Sequence, residues 1–534
     1  MIRFDHVSFR YDERWVVRDL DVHVVEGELL VVVGPTGSGK STVLKLINGL
    51  VPHFSGGDVA GDVLVEGRSV MGSSPVELAD LVGFVGQDPA SSFVAETVED
   101  EIAYAMENLG VAPAAMRRRV EDALDLMSLH DVRSRSVRSL SGGQQQRVAI
   151  AAVLASSPAI LVLDEPTSAL DPGAAEEVLS SLTRLVHDVG LTVVMAEHRL
   201  ERVLPFADRV LLLDGAGGAT IGEPAQVMAA SPLAPPLIEL GRLAGWEPLP
   251  VTVRQARRQS GGISGLLGDA APPRGVDPAG RVVAKVEDLT VAYGDLKALD
   301  RVSATFTTGT VTALMGRNGS GKSTLLGTIA GLLGPTSGVV EVSGQAPRQI
   351  SAEDRICLVG LVPQDPGLLL YAQEVADECR TADLEHHLTP GTTSGLLGVI
   401  ADGIDPLRHP KDLSEGQRLS LALSVVLAPR PLVVLLDEPT RGLDYQAKRA
   451  LCAQIRMLRD SGTAVVMASH DVELVAMVAD RVVVLAGGEV IADGATRDVV
   501  CHTPAFAPQV AKVLSPQAWL TVDEVATALQ EVRR

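Results

Sequence analysis

Cysteine is scarce and one-sided: all four residues, Cys357, Cys379, Cys452 and Cys501, lie in the second half of a 534-residue chain. They are far apart and show neither a CxxC pair nor metal-like spacing. That excludes a disulfide framework or a zinc site and leaves reduced thiols in core or surface. Positive charge is also short, with 46 Lys and Arg against 67 Asp and Glu, a net charge of −21. A protein that tracks a nucleic-acid backbone presents a basic surface, so nucleic acid is not expected as a partner. Long hydrophobic runs are missing too. Even the stretch Leu419 to Leu436 is broken by Pro429, Arg430 and Pro431, so no membrane-spanning helix is expected. The N-terminus, MIRFDHVSFRYDERWVV, carries charges where a secretory signal needs its apolar stretch. These absences point to a cytoplasmic chain. What is abundant is short apolar runs: 46% of residues are hydrophobic, which excludes global disorder, and the length calls for more than one domain.

The chain is one unit written twice. GPTGSGKST (Gly34 to Thr42) recurs as GRNGSGKST (Gly316 to Thr324), and LVLDEPTSALD, ending at Asp171, recurs as VLLDEPTRGLD, ending at Asp444. The order of landmarks is the same in both halves, with a slightly shorter middle in the second. Between the copies, SPLAPP, SGGISG and APPRG mark a boundary rich in Pro and Gly. The stretch Leu233 to Arg258 echoes Phe506 to Leu529, so each unit is expected to close with a short helical appendage. The expected boundaries are a first unit at 1–230, its appendage at 231–260, a linker at 261–281, a second unit at 282–500 and its appendage at 501–534.

Leu29 to Val33 is an apolar run of strand length, and after the glycine loop Val43, Leu44, Ile47 and Leu50 fall on one helix face. In that strand–loop–helix context Gly34, Gly37 and Gly39 let backbone N–H groups close around phosphates at a helix N-terminus. Lys40 reaches the β/γ oxygens and the Ser41 hydroxyl ligates Mg²⁺, with Ser38 and Thr42 in the same loop. Gly316, Gly319, Gly321, Lys322 and Ser323 repeat those roles beside Asn318, Ser320 and Thr324. AILVL (Ala159 to Leu163) and LVVLL (Leu432 to Leu436) read as parallel strands buried on both faces, and each ends in Asp-Glu. There Asp164 and Asp437 can hold Mg²⁺, while Glu165 and Glu438 can polarise an attacking water.

LSGGQ at Leu140 to Gln144, followed by the helix-like QQRVAIAAVLA, is a second anion-binding helix start. One nucleotide does not need two separated phosphate cradles in one fold, so the second cradle is expected to serve a nucleotide held by another unit. With these motifs the chain resembles the ATP-binding cassette (ABC) family, over nearly all of both halves. The resemblance implies an α/β fold of two tandem P-loop cassettes, each with a parallel-core sheet flanked by helices and a helical subdomain. It implies an ATPase that uses ATP and Mg²⁺, with Gln87 and Gln364 as lid glutamines sensing Mg²⁺ and the γ-phosphate. His198 and His470 match the histidine that contacts the γ-phosphate, and Tyr11 and Tyr293 match the aromatic that stacks on adenine. It also implies a head-to-tail pseudo-dimer within the chain. Lys40, Glu165 and His198 would then face Ser414, Glu415 and Gly416, and Lys322, Glu438 and His470 would face Ser141, Gly142 and Gly143, with Gln144 and Gln417 counted among the nucleotide-binding residues. One departure is LSEGQ in the second half. An unpaired Glu415 carboxylate at about 4 Å from a phosphate charge would cost roughly 4 kcal/mol at an effective dielectric of 20, so Glu415 is expected to point away.

GQDPASSFVAETVEDEIAYAMENLGV (Gly86 to Val111) is similar to the ATPases of energy-coupling factor (ECF) importers at Gln87, Pro89, Phe93, Val94, Thr97, Val98, Glu99 and Glu101. That likeness implies a transmembrane coupling subunit and a small membrane substrate-binding subunit as partners, and a peripheral position on the cytoplasmic face of the membrane. QDPGLLLYAQEVADECR in the second half departs from the pattern. Other tandem cassettes are weighed by what they lack here. A translation factor of the ABC-F type needs a long charged helical linker, and only RQARR (Arg254 to Arg258) is basic. Fused sugar or peptide importers often have a degraded second phosphate loop, whereas GRNGSGKST is intact; repair ATPases insert zinc cysteines or coiled coils.

Overall fold

A computed structural model of the chain describes all residues except 169, 269, 274–279, 504–505 and 533–534. The chain divides into two compact units, Met1–Gln255 and Ala256–Arg534. In the first, the apolar run after Gly27 forms the strand Leu29–Val33, buried at every residue. It is central in a six-stranded sheet ordered Ala219–Gly222, Arg209–Leu213, Leu29–Val33, Thr192–Ala196, Ile160–Asp164, Val82–Val85. All neighbours are parallel except the outermost pair, Ala219–Gly222 with Arg209–Leu213. Continuous Val, Leu and Ile in the central strands follow from burial on both faces.

A second sheet is antiparallel, ordered Arg14–Val24, Ile2–Tyr11, Asp58–Val65, Arg68–Ser69. Its alternating strands turn Ile2, Phe4, Val7 and Phe9 into a core that also takes Val43, Leu44 and Ile47 from the helix Lys40–Ile47. The helices Val98–Asn108, Pro113–Leu126 and Gly142–Ala155 make a helical subdomain.

The second unit repeats the plan. Its six-stranded sheet runs Val359–Val362, Val433–Asp437, Ala464–Ala468, Val311–Met315, Arg481–Ala486, Glu489–Ala495, with an antiparallel final pair. Its antiparallel sheet is Leu296–Thr307, Val282–Tyr293, Ser337–Val342. The helical subdomain is Val375–Glu385, Thr392–Ile400 and Glu415–Leu427.

The stretch read as a linker carries a helix, Gly261–Leu267, that packs on the C-terminal helix Val522–Val532. Gln517 Nε2 donates to the carbonyls of Ser264 and Gly268 at 3.5 and 3.3 Å, and Arg497 Nε donates to Pro273 O at 3.1 Å. Residues 269 and 274–279 of that stretch lie outside the described residues. The four cysteines are free thiols, and burial pushes those of Cys379 and Cys452 up to about 11. Among the described residues no helix is long and apolar enough to cross a membrane.

Candidate functional site

The glycine loop leaves the strand Leu29–Val33 and enters the helix Lys40–Ile47 through Gly39 at φ +97°. A Cβ on Gly39 would stand 2.0 Å from Val16 Cγ1, so both conformation and space demand glycine there. Lys40 is 6% exposed and its Nζ donates to Gly34 O at 2.9 Å and Pro35 O at 3.1 Å. Lys322 does the same in the second unit, to Gly316 O at 2.9 Å and Arg317 O at 3.2 Å. Each ammonium is thus held over its own loop at the helix N-terminus, where backbone N–H groups and dipole favour an anion. Ser38 Oγ and Ser320 Oγ are buried in these loops with no hydrogen-bond partner among the described residues, as is Asp437 Oδ1 at the neighbouring strand end. Such orphaned polar atoms fit a site made for phosphate and a divalent cation.

Asp164 and Asp437 stand at the carboxyl ends of Ile160–Asp164 and Val433–Asp437. Ser41 Oγ donates to Asp164 Oδ1 at 3.1 Å. Burial pushes both aspartates above their ordinary range, and the hydroxyls of Ser41 and Ser323 only partly offset it. A cation bound there would reverse that shift. The next residues, Glu165 and Glu438, both adopt the left-handed region, φ 50° and 48°, a conformation uncommon outside glycine and one that collects at functional sites. Their N–H groups bond Ala196 O at 3.0 Å and Ala468 O at 2.9 Å, continuing the ladder by one residue and turning the side chain out of the strand line.

His198 Nε2 lies 2.8 Å from Glu165 Oε1, and His470 Nδ1 lies 2.7 Å from Glu438 Oε2; all four side chains are under 10% exposed. Burial pushes both glutamates up, but the histidine contact, the imidazole charge and the loop lysine outweigh it and hold them below the ordinary range. Adjacent carboxyls are therefore driven in opposite directions, the aspartate up and the glutamate down, twice. The two centres differ in detail. Gln87 Nε2 donates to Glu165 Oε2 at 3.0 Å, whereas in the second centre Lys322 Nζ stands 4.0 Å from Glu438 Oε1; Gln87 and Gln364 are both exposed residues.

The signature residues start the helices Gly142–Ala155 and Glu415–Leu427 through reciprocal capping. Gln144 N donates to Ser141 Oγ at 3.3 Å and Ser141 N to Gln144 Oε1 at 3.1 Å; Gln417 and Ser414 repeat both bonds at the same distances. Gly143 and Gly416 abut Ala174 and Ala447, where an added Cβ would come within 2.8 and 3.1 Å of the alanine methyl. Gly142 is roomier, with only Leu170 Cδ2 within reach among the described residues, at 3.8 Å, in keeping with the larger Glu415 at the matching position. Glu415 is turned along its own helix, where Arg418 Nη1 donates to Oε1 at 2.8 Å and Arg418 Nη2 also reaches Lys411 O and Leu413 O.

Tyr11 is half-buried, edge-on to Phe9 with ring centroids 4.7 Å apart, while Tyr293 is exposed at its strand end. The structure thus gathers Lys40, Ser41, Gln87, Asp164, Glu165 and His198 around one strand end, and Lys322, Asp437, Glu438 and His470 around another. Sequence reasoning missed Arg14, whose Nη2 donates to Gly37 O at 2.9 Å, the Glu415–Arg418 pair, and the buried Glu197 next to His198. It also missed that Glu101 and Glu378 organise the two lid loops in one way: Glu101 accepts from Val94 N and Ala95 N at 2.9 and 2.7 Å, Glu378 from Tyr371 N and Ala372 N at 2.8 and 2.7 Å. A carboxylate seven residues after the loop's first donor, in both halves, was the available signal.

A family described as ABC transporter matches residues 17–168 and 299–441. A putative ABC transporter ATP-binding protein of Streptomyces avermitilis is 55% identical, over 99% of this chain and all of that one. One of Methanosarcina mazei is 33% identical, over 91% of this chain and 87% of that one. A solved structure named RNase-L Inhibitor superposes with a TM-score of 0.60 at 21% identity, covering 94% of this chain and 92% of that one, which is a likeness of fold.

Proposed function

The chain belongs to the ABC transporter family and is an ABC ATPase, and from that premise we propose that it energises an importer of the ECF type, working with separate membrane subunits. The observation that supports this most is the lid region of each half. It carries exposed apolar side chains, Val94 in the first and Leu368 and Tyr371 in the second, on loops that Glu101 and Glu378 hold in one shape beside the Gln87 and Gln364 positions. A rigid apolar rim next to a glutamine that touches the catalytic carboxylate is suited to pass a change at the nucleotide to a helix of a membrane partner. The sequence between Gln87 and Glu101 carries the ECF-like pattern.

In this reading the nucleotide is MgATP. Lys40 and Lys322 pair with its β/γ oxygens; Ser41, Ser323, Asp164 and Asp437 hold the cation side, with Gln87 and Gln364 at its edge. The Mg²⁺ ion supplies charge neutralisation on the phosphates. Glu165 and Glu438, kept ionised, accept the proton of a water that His198 and His470 help to orient, and the lysines stabilise the charge that develops.

The test is to recover the chain from native membranes in mild detergent and identify its companions by mass. Two small, very hydrophobic polypeptides support the ECF reading. Recovery with ribosomes and without membrane protein overturns it in favour of a translation factor.

A further inference from the structure

The halves differ at the residue before each strand-end histidine: Glu197 precedes His198, but Ser469 precedes His470. Glu197 is 1% exposed, as deep as any carboxylate among the described residues. Its Oε1 accepts two bonds from Thr167, from N at 2.7 Å and Oγ1 at 2.6 Å, and its Oε2 accepts from His198 N at 3.2 Å. Thr167 sits two residues after Glu165. The contacts therefore close a ring, from Glu165 along the chain to Thr167, across to Glu197, on to His198, and back through His198 Nε2 to Glu165 Oε1 at 2.8 Å. Arg202 Nη1 braces the same loop at Thr167 O and Leu170 O, both at 3.3 Å.

The second half has no such ring: with Ser469 in place of the carboxylate, His470 N donates directly to Glu438 Oε2 at 3.3 Å. Ser469 Oγ accepts from Asp471 N at 3.0 Å, inside its own loop. Thr440, which corresponds to Thr167, has a buried Oγ1 with no hydrogen-bond partner among the described residues, and Leu474 stands where the first half has Arg202. A buried carboxylate costs several kcal/mol of desolvation unless its partners repay it, so retaining one in a single half calls for a reason in that half.

We propose that Glu197 is a positioning residue of the first half. It locks the loop of Glu165 to the loop of His198, so that the glutamate–histidine pair stays in one arrangement while nucleotide and partner helices come and go. The second half lacks this lock, and the two centres are therefore unequal in the hydrolytic step. The inference rests on Glu165 and His198 acting on the water as read above.

The test uses the full chain carrying E438Q, in which turnover reports the first half, and measures single-turnover hydrolysis per bound ATP together with KM. E197S, which installs the second half's residue, lowers that rate about tenfold with KM for ATP within about twofold, because a misplaced catalytic pair affects the chemical step and not binding. E197Q, which keeps an oxygen for Thr167, recovers to within about threefold of the parent, and T167V falls with E197S. A rate per bound ATP within about twofold of the parent for both E197S and T167V overturns the proposal. If E197S loses its melting transition, E197Q and T167V decide in the same terms, T167V at the parental rate being the refuting result. A chain with both E165Q and E438Q that still turns over refutes the role of Glu165 itself, which is a separate failure.

Discussion

If the second signature faces the first phosphate loop, the state of Glu415 sets the affinity of the first site, and its ion pair with Arg418 can be tested by removing each member in turn. Alone, a carboxylate at about 4 Å from a phosphate charge is worth roughly 4 kcal/mol of repulsion at an effective dielectric of 20, close to a thousandfold in affinity. Arg418 Nη1 is 2.8 Å from Glu415 Oε1. A guanidinium at about 6 Å from the same phosphate reduces the net repulsion to roughly 1.4 kcal/mol, about tenfold. Side-chain exposures of 21% and 40% bring in solvent screening and shrink both figures further. After screening, R418A is therefore expected to weaken ATP binding by about 10- to 100-fold, E415G, which leaves the guanidinium unpaired, to tighten it by at least as much, and the double variant, which removes both charges, to tighten it by no more than about tenfold. Equilibrium ATP binding would be read in a chain carrying E165Q, to stop turnover, and K322A, to remove the second loop's lysine. The pair itself is worth only about 0.5 kcal/mol to the helix, so melting curves should hardly move for R418A. R418A with unchanged affinity, or the double variant tightening by 100-fold or more, refutes the reasoning.

Glu165→Gln and Glu438→Gln together are expected to leave ATP bound while stopping turnover, and normal phosphate release from that chain would remove both residues from the mechanism. In the second unit Lys448 Nζ and Asp471 Oδ2 form a buried pair at 2.7 Å. D471A should destabilise that unit by about 3–5 kcal/mol in denaturant titration, whereas replacing both members by apolar residues should recover most of the loss; a D471A cost under about 1 kcal/mol would mean the ammonium finds water. The pH dependence follows from Asp164 and Asp437, whose folded pKa is raised by burial. A raised folded pKa contributes stability below the unfolded value that is lost as pH rises through the folded one, so the metal-free chain should lose stability on leaving the acidic range. Mg²⁺ displaces the same proton, so melting with ATP plus Mg²⁺, compared with ATP plus EDTA, should show a gain that grows as pH rises from acidic to neutral. A gain independent of pH would dissociate these aspartates from the cation.

The parts of this molecule legible in the sequence are those set by local rules. Five consecutive apolar residues ending in Asp-Glu mark a strand buried on both faces wherever they occur, and GxxGxGKS marks a loop because only glycine can take Gly39's φ of +97° against Val16. Both were readable, and so was the doubling, because each landmark recurs in order. The antiparallel sheet was not, since its pairing of Ile2–Tyr11 with Asp58–Val65 spans the phosphate loop and its strands bend at irregular registers that blur the alternation. The helix Gly261–Leu267 was hidden for the opposite reason. GGISGLL has the composition of a linker, and what makes it a helix is tertiary, the burial of Ile263 and Leu267 and the bonds from Gln517.

The largest misses lie where the two copies differ. Glu415 with Arg418 and Gly442 replaces Gly142 with Gln145 and Ala169, the last outside the described residues. Gly442, at φ +69°, leaves room where a Cβ would stand 2.9 Å from Glu415 Cγ. The glutamate is thus accommodated by a glycine across from it and neutralised by an arginine one turn on. Glu197 with Thr167 and Arg202 stands against Ser469, Thr440 and Leu474 in the same way. The Glu415 departure is visible in the sequence and does turn away as expected, but a repeat comparison takes positions one at a time, whereas these residues change in sets that touch. In a duplicated chain the substitutions that come as contacting sets are where to look for a division of labour between the copies, and here both sets adjoin the residues assigned to ATP.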